Sequence, residues 1–553
     1  MVKSLLSIFL MIFFLSCAGQ APPSGGDVDR VPPEVIEIFP DEGTTNFNRD
    51  FIEIKFSEYV DKRSVQDAVF ISPAIEGEIE YDWSGKSVKL KFEEPLREDR
   101  TYSVTIGTDV KDLNNGNKMS QAYNFVFATG SQIDKLKIFG KVYAKDYDGI
   151  LIGAYLEDGE EVDPAKEKPD YISQAGSDGN YRLLGLADGS YIVFAIGDKF
   201  RNLTYQKMED EIGIPFAKIA LNETDSVFYG LDFKLTREDT IAPAILSATM
   251  TDENHIQIEF NESVDSSEIS AQNFYIYDST SNKKYDVDHF YKGKEGEKKF
   301  LLSFEETGAE AEDQLFLIAE NISDRTGNIQ ERNESSFIVS DKPDSTAPAL
   351  LRVNTNLSGN LADTDSPEFT FIFDDGISTD SLDEAVAAFN SADEKLPVEI
   401  NEIDGSSFRV KIDKKLSPNL DYRIELELNS LKDAAGNFTD SVYVHRFKTI
   451  TGLEFSGASG DVNLLTDEPV YVVLESVRAD KNYKQLIDDN NEFEFTKIDP
   501  GEYRLWSFID SDSSGNYSFG NAEPFELAER FEYYPDTLNL RARWPVGDVV
   551  LNY

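Results

Sequence analysis

Three times along the chain an acidic residue is followed by a short loop, a Gly-Asn pair and a run of strand-forming residues. The copies are Asp112–Gly116–Asn117 before Phe125-Val126-Phe127, Asp324–Gly327–Asn328 before Ser336-Phe337-Ile338-Val339, and Asp433–Gly436–Asn437 before Val444–Lys448. A Tyr-led strand lies upstream of the first and third (Tyr102-Ser-Val-Thr-Ile, Tyr422-Arg-Ile-Glu-Leu), and Gln314-Leu-Phe-Leu-Ile takes that place in the second. Asp and Asn side chains bond back to their own backbone, and Gly supplies a positive φ, so the motif reads as a tight turn into a strand. Its recurrence predicts an array of separate β-domains. The 553 residues agree, since they are too many for one core and, at about 100–150 residues per domain, predict four or five domains.

The strands themselves are short and alternate. Ile52-Glu-Ile-Lys-Phe56, Val88-Lys-Leu-Lys-Phe92, His255-Ile-Gln-Ile-Glu-Phe260, Phe369-Thr-Phe-Ile-Phe373 and Phe408-Arg-Val-Lys-Ile412 place apolar residues at every second position. Such strands, separated by polar turns, predict an all-β chain of antiparallel sandwiches.

Two kinds of module recur. In the first, Pro-Pro leads to a strand ending Phe56-Ser57-Glu58, then Tyr102, the Asp112–Asn117 turn and Phe127-Ala-Thr-Gly130. This resembles the bacterial Ig-like domain of S-layer proteins. The pattern returns after Asp239-Thr-Ile-Ala-Pro243 and Ser345-Thr-Ala-Pro348, with Asn261-Glu262 and Asp374-Asp375 in the Ser-Glu place. In the second kind, Lys137-Ile-Phe-Gly-Lys-Val-Tyr143 precedes Asp178-Gly-Asn-Tyr181, Asp188-Gly-Ser-Tyr191 and the strand Ile192–Ile196. That order resembles a prealbumin-like sandwich of the carboxypeptidase-regulatory type. It is echoed by Asp489-Asn-Asn-Glu-Phe493, Asp499-Pro-Gly-Glu-Tyr503 and Arg504–Phe508. The expected organisation is a signal peptide over 1–16, a tether over 17–30, Ig-like domains at 31–130, 236–341 and 342–450, and prealbumin-like domains at 131–235 and 451–553. The terminal Trp544–Tyr553 reads as a last edge strand.

The N-terminus is an address. Lys3, the apolar run Leu5–Leu15 and Phe14-Leu15-Ser16-Cys17 have signal-peptide proportions, too short to span a bilayer. They resemble a bacterial lipoprotein signal whose cysteine becomes the lipid-bearing N-terminus, and Cys17 is the one cysteine of the chain. The following Ala-Gly-Gln-Ala-Pro-Pro-Ser-Gly-Gly is a flexible tether. With the Ig-like domains, it resembles Ig-like lipoproteins of Bacteroidetes. The resemblance implies an outer-membrane lipid anchor, with Ala18 after the cysteine, and leaves the face of that membrane undetermined.

With 103 acidic against 53 basic residues the net charge is −50, which repels nucleic-acid phosphates and anionic lipid surfaces. No nucleic-acid partner is expected; an envelope protein or a glycan is. One cysteine excludes an intrachain disulfide and a Cys-based zinc cluster. His255, His289 and His445 fit no metal spacing and read as surface or strand-face residues. Glu58, Glu262 and Asp375, each following a strand, read as single loop-capping acids without a partner carboxylate, so a glycosidase-type pair is not argued.

One loop has cation spacing. Asp510, Asp512 and Ser514 precede Gly515 and Asn516 as in the first half of an EF-hand loop, making calcium the candidate cofactor. Asn521 stands where that loop needs a bidentate Glu, so a polar hairpin is the competing reading. Asp-Ser or Asp-Thr pairs also recur, placing Ser226, Thr240, Ser279, Ser345, Ser381, Ser441 and Thr537 in a motif that resembles the acceptor of Bacteroidetes O-glycosylation. No catalytic motif is present. The expected function is a non-enzymatic, lipid-anchored spacer, adhesin or assembly module. The alternative is a carbohydrate-binding component of a glycan-uptake system, with Trp83, Trp506 and Trp544 as platform candidates, each more at home in a core.

Overall fold

The period-two patterning becomes strands that bury alternate side chains. In the computed structural model, which describes residues 28–553 except 160–161, 267, 293–297, 306, 309–313, 356, 358–359, 366, 379–381 and 480, this holds without a break along Phe51–Phe56, Ser87–Phe92 and Glu368–Phe373. The strands pair into ten small sheets among the described residues, and the chain is all-β, built of tandem sandwiches. Its contacts define two units. One runs to Glu238 and takes in Ser518–Ala528; the other runs from Asp239 to Tyr517 and resumes over Glu529–Tyr553.

In the first unit, a sheet ordered Val35–Phe39, Phe51–Phe56, Ser87–Phe92, Ile79–Ser84 packs on one ordered Val69–Ser72, Thr101–Ile106, Tyr123–Ala128. Ile54, Phe56, Val88, Leu90, Val104, Ile106, Phe125 and Phe127 are fully buried between them. The sheets are joined by a short helix, Lys62–Ala68, whose first turn is capped by Asp61 accepting from the Ser64 N–H at 2.8 Å. The polar alternates of Thr101–Ile106 are buried as well. They face the next module: Thr105 Oγ1 donates to the Ile172 carbonyl at 2.9 Å, and Arg182 Nε donates to Asn124 Oδ1 at 3.0 Å.

That next module has one sheet of Tyr171–Gln174, Ile150–Leu156 and Gly189–Gly197, with Ile212–Gly213 and Ile219–Leu221 both on the last strand. The second sheet pairs Asn180–Leu186 with Leu136–Tyr143, along which Val227–Phe228 and Phe233–Lys234 run parallel. A separate cluster of this unit packs Ala522, Phe525 and Ala528 with Phe194, Tyr205 and Ile212.

In the second unit, Ile245–Asp252, His255–Phe260, Lys299–Ser303, His289–Tyr291 form one sheet, and Lys283–Asp286, Phe274–Asp278, Leu315–Ser323, Ile329–Phe337 the other. The order recurs as Leu350–Thr355, Glu368–Phe373, Ser407–Ile412, Val398–Asp404 against a sheet in which Val442–Thr449, Asp421–Glu427 and Val386–Phe389 are neighbours. The last strand of the earlier module differs from expectation: it starts directly after Asn328 and ends at Phe337, leaving Ile338 86% exposed. Its residues are mostly polar because one face and the edge meet solvent, which hid it from an apolar pattern.

The C-terminal module copies the module that follows the first Ig-like sandwich. Glu492–Ile498, Ser456–Asn463 and the edge strand Val546–Asn552, parallel to Ser456–Asn463, make one sheet. Asn482–Leu486, Val470–Ser476 and Gly501–Ile509, with Phe531–Tyr533 and Leu538–Leu540 on Gly501–Ile509, make the other. Tyr191 and Tyr503 each donate to the carbonyl four residues earlier, Ala187 at 2.9 Å and Asp499 at 2.8 Å. Asp499 therefore matches Ala187, and Asp188 is matched by Pro500.

Candidate functional site

Two sets of acidic side chains are positioned by these modules. The first is the recurring Asp–Gly–Asn turn. Gly116, Gly327 and Gly436 have φ of 74°, 90° and 84°, conformations that other residues resist. Asp112 accepts from the backbone N–H of Asn114 and Gly116, both at 2.9 Å, and of Asn117 at 3.1 Å. Asp324 and Asp433 accept from the N–H of Asn328 and Asn437 at 2.9 and 2.7 Å. The Asn side chain does more than turn. Its Nδ2 donates to the carbonyl of Asp29, Asp239 or Asp344 at 3.1, 3.0 and 3.3 Å, clamping the segment that leads into each sandwich.

The same ends carry the acid that follows the second strand. Ser57, Asn261 and Asp374 donate their N–H to the carbonyls of Glu34, Ala244 and Ala349, which makes Glu58, Glu262 and Asp375 equivalent. These acids have carboxylate neighbours, contrary to the expectation of single acids, because the clamped linker brings a second Asp beside the turn's own. Oxygens of Asp239, Glu262 and Asp324 lie within 4.8 Å of one another. Burial, then the charges of Asp239 and Asp324, push the Glu262 carboxyl up to about 7. Glu58 is raised by burial and by Asp112 and Asp29.

In the third copy Asp375 meets a cation. Its Oδ1 lies 2.9 Å from His255 Nε2 and accepts from the Tyr291 hydroxyl at 2.8 Å, while His255 Nδ1 lies 2.7 Å from Asp252. Burial alone would lower the His255 pKa; the two carboxylates override it and raise it to about 10. His255 and His445, 6% and 5% exposed, are buried strand residues and not surface ones, whereas His289 is half-buried.

The second set is the loop after Gly501–Ile509. Asp510 is 2% exposed and its Oδ2 accepts from the Gly515 N–H at 3.0 Å; Gly515 has φ 73°. Asp512, exposed, accepts from the Ser514 N–H at 2.8 Å, and the Ser514 hydroxyl donates to the Asn516 carbonyl at 2.9 Å. Lys484 Nζ bonds the outer edge, at the Gly515 carbonyl and at Asn516 Oδ1. The residue that joins Asp510 and Asp512 is Glu529, 4% exposed: one carboxylate oxygen of each lies within 4.8 Å of the others. Asn521, the position EF-hand spacing pointed to, instead pairs its backbone with Glu526. Glu529 lies beyond that pairing and carried no spacing signal.

The remaining candidates are dispersed. Cys17 and Ser381 lie outside the described residues. Thr240, Ser279, Ser345, Ser441 and Thr537 are exposed and Ser226 is half-buried. Trp506 is buried and Trp83 half-buried beneath Lys62, but Trp544 is 72% exposed, not in a core, because it sits in the turn bridged to Arg541.

Fold and sites together define tandem β-sandwiches with acidic ends. A family model described as bacterial Ig-like domain matches residues 29–129 and 344–449. The strands between Ile245 and Phe337 have the same order as those two segments. No curated protein matches the chain. Among solved structures, the N-terminal part of the bacterial S-layer protein SbsC is 12% identical, over 38% of this chain and 44% of that one, at a TM-score of 0.16. Domains 1–6 of SbsC are 11% identical over 87% and 64%, at 0.15. A tetra-tandem repeat from the extending region of a large adhesion protein is 12% identical over 80% and 96%, at 0.15.

Proposed function

We propose that this chain is a non-enzymatic, lipid-anchored protein of the bacterial cell envelope, held at the outer membrane through Cys17, whose tandem sandwiches act as a structural, adhesion or assembly module. The observation that carries this reading is the repeated clamp. Asn117, Asn328 and Asn437 each fasten the segment entering their own sandwich, a device suited to spacing domains along an array. Loops at the sandwich ends then meet an envelope protein or a glycan. Among the described residues no helix is long and apolar enough to cross a membrane. Exposure of most of the Asp-Ser and Asp-Thr acceptors supports O-glycosylation there, which the intact mass of protein from its native host measures.

The test is a Cys17→Ser variant expressed in the native host with labelled palmitate. The unsubstituted protein should carry label and fractionate with outer membrane, and C17S should lose both; membrane retention by unlabelled C17S would defeat the anchor. Cross-linked pull-down of the labelled protein should then recover an envelope protein. The glycan-binding alternative is favoured by Trp544, the exposed Trp of the three candidates. Recovery of glycan alone, lost in Trp544→Ala, would establish it instead.

A further inference from the structure

The two prealbumin-like modules present the same loop frame, and they differ in one respect that chemistry must answer. In the module preceding Asp239, Asp198 follows the long central strand, and its two oxygens accept from the backbone N–H of Asn202 at 3.2 Å and of Leu203 at 2.8 Å. Behind it lies Asp210, fully buried, whose oxygens accept from the N–H of Lys199 at 3.1 Å and of Gln206 at 2.9 Å. Each of the four oxygens has a backbone donor, so both charges are compensated.

The C-terminal module repeats the frame with altered contents. Asp510 stands for Asp198, and its Oδ2 takes the N–H five residues on, from Gly515, as Asp198 takes that of Leu203. Glu529 stands for Asp210: it accepts from the Ser511 N–H at 2.7 Å, as Asp210 accepts from that of Lys199. Asp510 Oδ1, however, is buried and has no hydrogen-bond partner among the described residues. Asp512 is added where the other module has Phe200, and its carboxylate oxygen lies within 4.8 Å of those of Asp510 and Glu529. A buried carboxylate oxygen without a donor is unfavourable, and two further carboxylates beside it deepen that cost. A cation shared by the three removes it.

We propose that Asp510, Asp512 and Glu529 form a calcium site, in which Glu529, brought in from beyond the loop, replaces the acid that the EF-hand spacing lacks. The ligand set is hard oxygen throughout, with the Ser514 hydroxyl and the Asn516 carbonyl adjacent on the same loop. Calcium accepts such an irregular, carboxylate-rich set, whereas magnesium demands near-octahedral geometry and retains its waters. Lys484 balances the outer edge of the loop through Gly515 and Asn516 and bonds neither buried acid in the structure.

The experiment titrates CaCl2 into the full chain, followed by calorimetry and by thermal melting, with MgCl2 in parallel. Calcium should bind with a dissociation constant of about 10⁻⁷–10⁻³ M, the range of sensor and extracellular oxygen sites, and raise one melting transition. Asp512→Asn should weaken binding at least about tenfold and should not lower the calcium-free midpoint, because it removes one of the crowded negative charges. Asp510→Asn should raise the calcium-free midpoint, because it removes a buried uncompensated charge, and abolish the calcium response. Glu262→Gln, in the separate Asp239–Glu262–Asp324 cluster, should leave the response intact. No heat and no midpoint shift up to 10 mM (roughly tenfold above the weakest constant expected) would overturn the proposal. So would calcium affinity in D512N and D510N equal to that of the unsubstituted chain, or loss of the response in E262Q alone.

Discussion

At the scale of single residues, two glycines show how little freedom the modules that contain Leu136–Tyr143 and Ser456–Asn463 allow. Gly140 and Gly460 occupy the same place in equivalent strands, Leu136–Tyr143 and Ser456–Asn463, two residues after Ile138 and Ala458. At each, a Cβ would overlap a backbone carbonyl oxygen, of Leu231 or Val549, on the segment that runs parallel to the strand. A flexible side chain could swing away from such a clash; a ladder strand has to shift bodily. Gly460→Ala should therefore cost about 3 kcal/mol or more, at the upper end for overpacked positions, measured by urea unfolding. A cost near zero would mean that Val546–Asn552 is displaced without penalty. The tyrosines are set by similar economy. Tyr102 and Tyr422 accept from the N–H of Arg97 and Ser417 at 2.9 and 3.1 Å and stack on Phe127 and Phe447 at 5.6 Å each. The module between them puts Leu315 opposite Phe337 at that position, so the hydroxyl bond is dispensable to the fold.

At the scale of elements, the Asp–Gly–Asn turn is a clamp as well as a reversal of direction. Asn328 Nδ2 bonds the Asp239 carbonyl at 3.0 Å and Asp324 Oδ2 at 2.9 Å, while its backbone N–H holds Asp324 Oδ1 at 2.9 Å. Asn328→Ala keeps the turn and removes the clamp. It should cost about 1–2 kcal/mol and speed amide exchange at Ile241, Ala244 and Ile245 ahead of the rest of the sandwich. Uniform destabilisation without that local signature would show that the side chain supports the turn alone. The turn and its glycine were legible in the sequence because their partners are local. The clamp was not, because Asp239 is 89 residues away from Asn328. The same division runs through the rest. Alternation identified Ile52–Phe56 and Phe369–Phe373, but it carries no sign that Thr101, Ser103 and Thr105 are buried too, since what covers them is the following module. Trp544 reads as core from its strand-like context and lies in an exposed turn, and Glu529 reaches the Asp510 loop through the pairing of Gly501–Ile509 with Phe531–Tyr533.

At the scale of the whole molecule, charge governs the response to pH. A chain of net charge −50 repels itself, and acid relieves that repulsion. Two specific groups act in the same direction. His255 is held protonated, its pKa raised to about 10 from 6.5 by Asp252 and Asp375 against the opposing effect of burial. Its stabilisation is complete below about pH 6.5 and is lost as pH rises through about 10. Glu262 is a carboxyl raised to about 7, so the folded chain gains stability as pH falls from 7 towards its ordinary 4.5. Opposing both, Asp112 and Asp324 are held below the usual carboxylate range: burial works against this and hydrogen bonds from their own loops outweigh it, so their contribution fails only in stronger acid. The melting midpoint of the transition that includes His255 should accordingly be highest near pH 5 and fall steadily to pH 9.5. The histidine should account for up to about 3 kcal/mol of that fall, the order expected for a buried ion pair. His255→Gln should lower the midpoint at pH 6 and flatten the alkaline limb, because the remaining Asp252 and Asp375 no longer share a proton-bearing partner. Glu262→Gln should leave the alkaline limb in place and flatten the limb between pH 5 and 7. An alkaline limb equally steep in H255Q would show that the junction of Asp375 with His255 and Tyr291 carries no linkage, and that bulk repulsion alone sets the profile.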